Sequence, residues 1–185
     1  MAKLSFRYGA MNSSKTANAL MQKYNYEERG MKALLVKPST DIRDGTLTVK
    51  SRIGLESEAL LFDNLNDDIV KQHDVVIIDE VQFLNKNQIN YLSVICDDLD
   101  INVFCYGLRT DFQGNLFEGS KWLLAIADKI EELKTTCWCG AKATHNARIN
   151  EDGEVVKHGE QIELGRNDKY ISLCRKHFVG GLTCY

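Results

Sequence analysis

Three short apolar runs constrain this chain more than any other feature: Ala33-Leu34-Leu35-Val36, Val75-Val76-Ile77-Ile78 and Ile101-Asn102-Val103-Phe104-Cys105-Tyr106. A strand with one wet face alternates apolar and polar residues. A strand that is apolar throughout must be covered on both sides. Helical spacing separates the runs: Ala17, Leu20, Met21 and Tyr24 within Lys15 to about Glu28, then Ile89, Leu92 and Ile95 within Asn87 to Cys96. Ser120 to Asp128 has the same spacing through Leu123, Leu124 and Ala127, and Leu4 to Tyr8 reads as a first strand ending at Gly9. Strand–helix alternation with buried strands predicts a mostly parallel sheet with helices on both faces.

The chain is long enough for one full core and a small appendage, at 185 residues and 44% apolar. That apolar share, with 23 basic against 26 acidic side chains, excludes a disordered chain. A net charge of −3 argues against a protein dominated by nucleic-acid backbone contacts. No apolar run approaches the length of about 20 residues that a bilayer span needs. The N-terminal MAKLSFRYGAM lacks the uninterrupted apolar stretch of a secretory signal.

Between the first strand and the first helix lies Gly9-Ala10-Met11-Asn12-Ser13-Ser14-Lys15-Thr16. In that context it matches the P-loop pattern G-x-x-x-x-G-K-[ST] at all but one position. Backbone N–H groups of such a loop and the helix N-terminus face phosphate oxygens. Lys15 would neutralise the β- and γ-phosphates, and the Thr16 hydroxyl would ligate Mg²⁺. Ser14 stands where the pattern has its second glycine, which leaves two readings: a tolerated small residue or an impaired nucleotide site. The 75–78 strand ends in Asp79-Glu80, where P-loop enzymes keep a metal-site acid. Asp79 suits that role, and Glu80 suits acceptance of a proton from an attacking hydroxyl or orientation of a water. The pattern alone does not separate phosphotransfer from ATP hydrolysis.

Composition changes near Thr135. Four of the six cysteines, Cys137, Cys139, Cys174 and Cys184, lie beyond it, in a stretch with few large apolar residues. Cys137-Trp138-Cys139 and Cys174-Arg175-Lys176-His177 supply three thiols and an imidazole, a donor set for structural zinc. Such a site would close the long loop between the two pairs. Cys184 is set aside as a ligand, and Cys96 and Cys105 read as small buried thiols.

The chain resembles the zinc-containing, P-loop thymidine kinases of bacteria and animal cytosol. The resemblance rests on GAMNSSKT, Lys37-Pro38-Ser39-Thr40-Asp41-Ile42-Arg43, Ser51-Arg52-Ile53-Gly54, Asp79-Glu80-Val81-Gln82-Phe83 and Tyr106-Gly107-Leu108-Arg109-Thr110-Asp111-Phe112. CWCGAKAT, Tyr170 and CRKHF complete it, so the motifs span almost the whole chain in order. It implies a RecA-like α/β unit over 1–135 and a small zinc-bound β/lasso unit over 136–185. It implies Glu80 as general base toward the 5′-hydroxyl of thymidine, Arg43 near the transferring phosphoryl group, and Asp41 beside it. Gly9 to Thr16, Asp79 and Gln82 fall on the ATP side, with Thr16 and Asp79 at Mg²⁺. Met11, Leu108, Phe112, Phe117 and Tyr170 fall on the thymidine side, with lasso residues Gln161, Ile162, Glu163, Leu164 and Gly165 at the base edge. A homotetramer, dTTP feedback and a cytoplasmic location are implied as well. Two other readings stay open on the residues alone, a helicase-like nucleic-acid ATPase and a non-catalytic nucleotide-binding module.

Overall fold

A computed structural model describes residues 1–40, 47–161 and 170–183. In chain order the elements are β1 (Leu4–Tyr8), α1 (Lys15–Glu27), β2 (Ala33–Lys37), β3 (Thr48–Lys50), β4 (Glu56–Glu58), β5 (Leu60–Leu61), α2 (Asp67–Val70) and β6 (Val75–Ile78). They continue with α3 (Lys86–Leu99), β7 (Asn102–Gly107), α4 (Glu118–Ile126) and β8 (Lys129–Glu132). Beyond these come β9 (Thr135–Thr136), β10 (Lys142–Ala143), β11 (His145–Ile149), β12 (Val155–Val156), β13 (Tyr170–Leu173) and α5 (Arg175–Gly180).

The three apolar runs became the middle of a six-stranded sheet of order β5-β2-β6-β7-β1-β8. Every pairing in it is parallel. The strands divide their side chains between two cores as their period of two requires. Val76 and Ile78 of β6 join Leu4, Phe6, Val103 and Cys105 against Ile89, Leu92 and Ile95 of α3 and Leu123 of α4. Val75 and Ile77 join Leu35 and Tyr106 against Ala19 and Leu20 of α1 on the opposite side. Burial of each such Leu or Ile contributes about 1.5–3 kcal/mol, so loss of either helix layer would leave the sheet half-covered. This bears out the α/β expectation, with helices on both faces.

One helix face departs from the expected one. Met21 and Tyr24 of α1 are 52% and 61% exposed, while Ala17, Ala19 and Leu20 are buried. The small alanines let α1 lie close to the sheet, and that rotation turns the two larger side chains outward. The sheet borders are distinct: β5 has two residues, and β8 reads Lys-Ile-Glu-Glu with Arg7 bonded across to Glu131 at 2.7 Å.

The C-terminal part has its own small core of Cys137, Ala143, Ala147 and Leu173. Strands β12-β11-β13 form an antiparallel sheet, and β9 and β10 form a hairpin whose turn carries Cys137 and Cys139. Among the described residues no helix is long and apolar enough to cross a membrane.

Candidate active site

Only glycine fits at position 9. A Cβ there would meet Ser13 Oγ at 2.2 Å and the Leu133 carbonyl at 2.4 Å. From that point the chain turns through two left-handed residues, Asn12 (φ 62) and Ser14 (φ 59), into α1. Lys15 is buried and its ammonium folds back over the loop, donating to the Ala10 carbonyl at 2.8 Å and to Ser13 Oγ at 3.3 Å. That is the concave, N–H-lined arrangement that receives an anion at a helix start.

Asp79 sits against this loop at the C-terminal end of β6, where parallel sheets collect ligand contacts. Its carboxyl is buried and accepts a hydrogen bond from the Thr16 hydroxyl. Burial, and then the neighbouring Glu80 charge, push it up to about 7, against the opposing pull of Thr16 and Lys15. A carboxyl held this way is one that a divalent cation would return to the charged form, so Thr16 and Asp79 fit a Mg²⁺ site.

Glu80 adopts left-handed backbone, φ 54 and ψ 35, which costs a side-chain-bearing residue about 1–2 kcal/mol. Gln82 holds the carboxylate that this turn presents. The Gln82 amide donates to Glu80 Oε2, and its carbonyl oxygen accepts from the Leu108 N–H at 3.0 Å. Gln82, which the resemblance sets on the ATP side, is buried and bridges Glu80 to the 107–112 loop.

The sheet β12-β11-β13 covers the other side of the loop. Register sets Asn146 opposite Ser172 and Arg148 opposite Tyr170. The period of two puts these four on one face, while Ala147 and Leu173 enter the small core. Asn146 accepts the Met11 N–H at 2.7 Å and donates to the Thr110 carbonyl at 3.2 Å. Ser172 donates to the Met11 carbonyl, so both polar groups of one phosphate-loop residue are held from this sheet. Phe112 is buried beneath Arg148, and Tyr170 is half-buried beside it. Phe117, expected in the thymine pocket, is buried edge-on against Phe83 at 5.8 Å. Asp41, Arg43, Ile162, Glu163, Leu164, Gly165 and Cys184 lie outside the described residues.

The expected zinc donors converge. One ligand atom from each of Cys137, Cys139, Cys174 and His177 lies within 4.8 Å of the others. Cys137 Sγ and Cys174 Sγ are 3.3 and 3.5 Å from His177 Nδ1. A tetrahedron with Zn–S near 2.3 Å and Zn–N near 2.0 Å has S···N edges of about 3.5 Å, so the donor set fits the metal. Burial alone would raise the Cys137 thiol, but the N–H groups of Cys139 and Cys174 and the imidazole bring it down to about 6. The Trp138 indole stacks on the His177 ring at 4.1 Å and shields it.

Comparison with known proteins gives the family. A family model described as thymidine kinase matches residues 2–178. The chain belongs to the thymidine kinase family. It is 53% identical to a thymidine kinase of Zymomonas mobilis over 99% of both chains. A thymidine kinase of Rhodopirellula baltica is 51% identical over 96% of this chain and 88% of its own. One of Haemophilus influenzae is 50% identical over 96% of each. Among the residues of this thymidine kinase family member that sequence reasoning passed over are Asn146, Arg148 and Ser172. The signal for the first two was present as the alternation His-Asn-Ala-Arg-Ile, which reads as a strand with Asn146 and Arg148 on one side.

Proposed function

We propose that this protein transfers the γ-phosphate of ATP to the 5′-hydroxyl of thymidine, giving dTMP and ADP. The observation that carries the reading is the placement of Glu80. It follows the phosphate-side acid Asp79 directly and is tied by Gln82 to the loop bearing Leu108 and Phe112. A base between the phosphate loop and a nucleoside-side loop suits phosphotransfer to a bound hydroxyl.

In this scheme Gly9 to Thr16 cradle the triphosphate, with Lys15 against its charge. Thr16 and Asp79 hold Mg²⁺, which neutralises charge on the β- and γ-oxygens when bound. Glu80 accepts the 5′-hydroxyl proton as that oxygen attacks the γ-phosphorus in line and ADP departs. Arg43, with Asp41 beside it, is assigned to the transferring group. Met11, Leu108, Phe112, Phe117 and Tyr170 are assigned to thymidine, and Gln161 to Gly165 to the base edge. Cys137, Cys139, Cys174 and His177 hold a structural zinc that ties down the 136–185 unit beside the nucleotide unit 1–135. A cytoplasmic homotetramer under dTTP feedback completes the reading, supported by the resemblance to the family.

The test is thymidine-dependent release of ADP in the presence of ATP and Mg²⁺. Glu80→Gln retains an acceptor for Gln82 but cannot take the proton, so kcat is expected to fall by about 10²-fold or more with ATP affinity preserved. ADP release that ignores thymidine and responds to DNA or RNA would refute the kinase reading.

A further inference from the structure

Arg148 is 7% exposed, on the β11 face that looks toward the phosphate loop. Its guanidinium carbon lies 3.8 Å from the centre of the Phe112 ring and 5.4 Å from that of Tyr170. In the guanidinium plane, Nε donates to the Tyr170 hydroxyl at 2.8 Å and Nη2 to the Glu160 carbonyl at 2.8 Å. The chain passes close by at Gly159, where φ is +141 and a Cβ would stand 3.2 Å from Arg148 Nη1. Two residues on, Gln161 donates to Asp111 Oδ2 at 2.9 Å, and Asp111 adjoins Phe112 in sequence.

We propose that Arg148 is the positioning residue of the nucleoside side of the site, joining Phe112, Tyr170 and the Glu160 peptide into one assembly. The proposal rests on the reading of Phe112 and Tyr170 as thymidine contacts. Arginine alone has the required shape. A planar cation can lie flat on one ring while donating in its own plane in two directions. Lysine carries the charge but not the fork, and its ammonium cannot stack. Each contact holds a different stretch of chain: the 107–112 loop, the start of β13, and the segment after β12. Arg148 touches all three, and without it the Tyr170 hydroxyl loses the guanidinium donor.

The experiment compares full-length wild-type protein with Arg148→Lys, Arg148→Met, Tyr170→Phe and the double variant Arg148→Lys/Tyr170→Phe, measuring thymidine and ATP dependence together. Both Arg148 variants are expected to raise the thymidine KM by about tenfold or more, since two of the bonds that set a substrate-facing ring and its neighbouring loop are lost. The ATP KM should stay within about twofold and the zinc content unchanged, because the phosphate loop is held by Asn146 and Ser172. In the Tyr170→Phe background, Arg148→Lys should have a smaller effect than in wild type, as coupled partners require. Full rescue by lysine would overturn the proposal, and so would thymidine and ATP KM values rising together. Wild-type turnover with unaffected Arg148 variants would sink this inference alone. A wild-type protein inert toward thymidine would sink the kinase reading and this inference with it.

Discussion

Ser14 is the position at which this chain departs from the phosphate-loop pattern, and its backbone explains the pattern's preference. With φ 59 and ψ 27 it occupies the left-handed region, and its exposed side chain makes no capping bond to α1. Among the described residues only four without glycine's freedom have positive φ, and three of them, Asn12, Ser14 and Glu80, line this site. Such concentration of backbone strain is what functional sites retain. Ser14→Gly removes a strain of about 1 kcal/mol. It adds a comparable entropy to the unfolded chain, so the two offset. The expected outcome is a melting temperature shifted by no more than about 3 °C. Kinase rate and ATP affinity should be equal to or better than those of wild type. A marked fall in rate would show that the hydroxyl has a task of its own.

At the scale of elements, the most consequential pairing is between β11 and the phosphate loop. Asn146 satisfies the Met11 N–H and the Thr110 carbonyl at once, from a strand far along the chain. Asn146→Ala would leave a partly buried amide without its acceptor, at a cost of about 1 kcal/mol. The expected result is a lower melting temperature and an ATP KM raised by about three- to tenfold, read by thermal unfolding and ATP titration. An unchanged ATP KM would mean that the loop keeps its shape unaided. The same pairing marks where legibility stopped. Strands β2, β6 and β7 could be read because continuous apolar residues have no other stable place in a covered sheet. The P-loop, Asp79 and the zinc pairs could be read because their chemistry demands particular residue types at short spacings. Strand β8, three-quarters charged, carries no such mark, and β5 is too short for any period. Arg148 carries no mark in the sequence because its partners, Phe112, Glu160 and Tyr170, approach only through the fold. The role of Gln82 was hidden likewise, since its second partner, Leu108, belongs to another strand's loop.

Across the whole molecule, the zinc cluster lies at one end of the chain while its influence reaches the other. Cys137 and His177 close the base of the segment that supplies Asn146, Arg148, Tyr170 and Ser172 to the site. The small core there has few members, so the metal is expected to supply most of that unit's order. Chelation until the protein holds no zinc should abolish thymidine turnover and lower the melting temperature, with the central sheet keeping most of its circular dichroism. Restoring zinc should restore turnover. Full activity in metal-free protein would remove the structural role assigned to the cluster.

The borders of the central sheet carry a consequence for how copies of the molecule can meet. An open parallel sheet offers unpaired backbone at both margins, an invitation to growth by strand addition. Here one margin is two residues long, and the other bears Lys129, Glu131 and Glu132, with Lys129 and Glu131 joined at 2.8 Å. A neighbour adding to β8 would have to match a strand that is three-quarters charged, and one adding to β5 would find almost no ladder to extend. Growth of the central sheet by strand addition from a second copy is therefore suppressed at both of its margins.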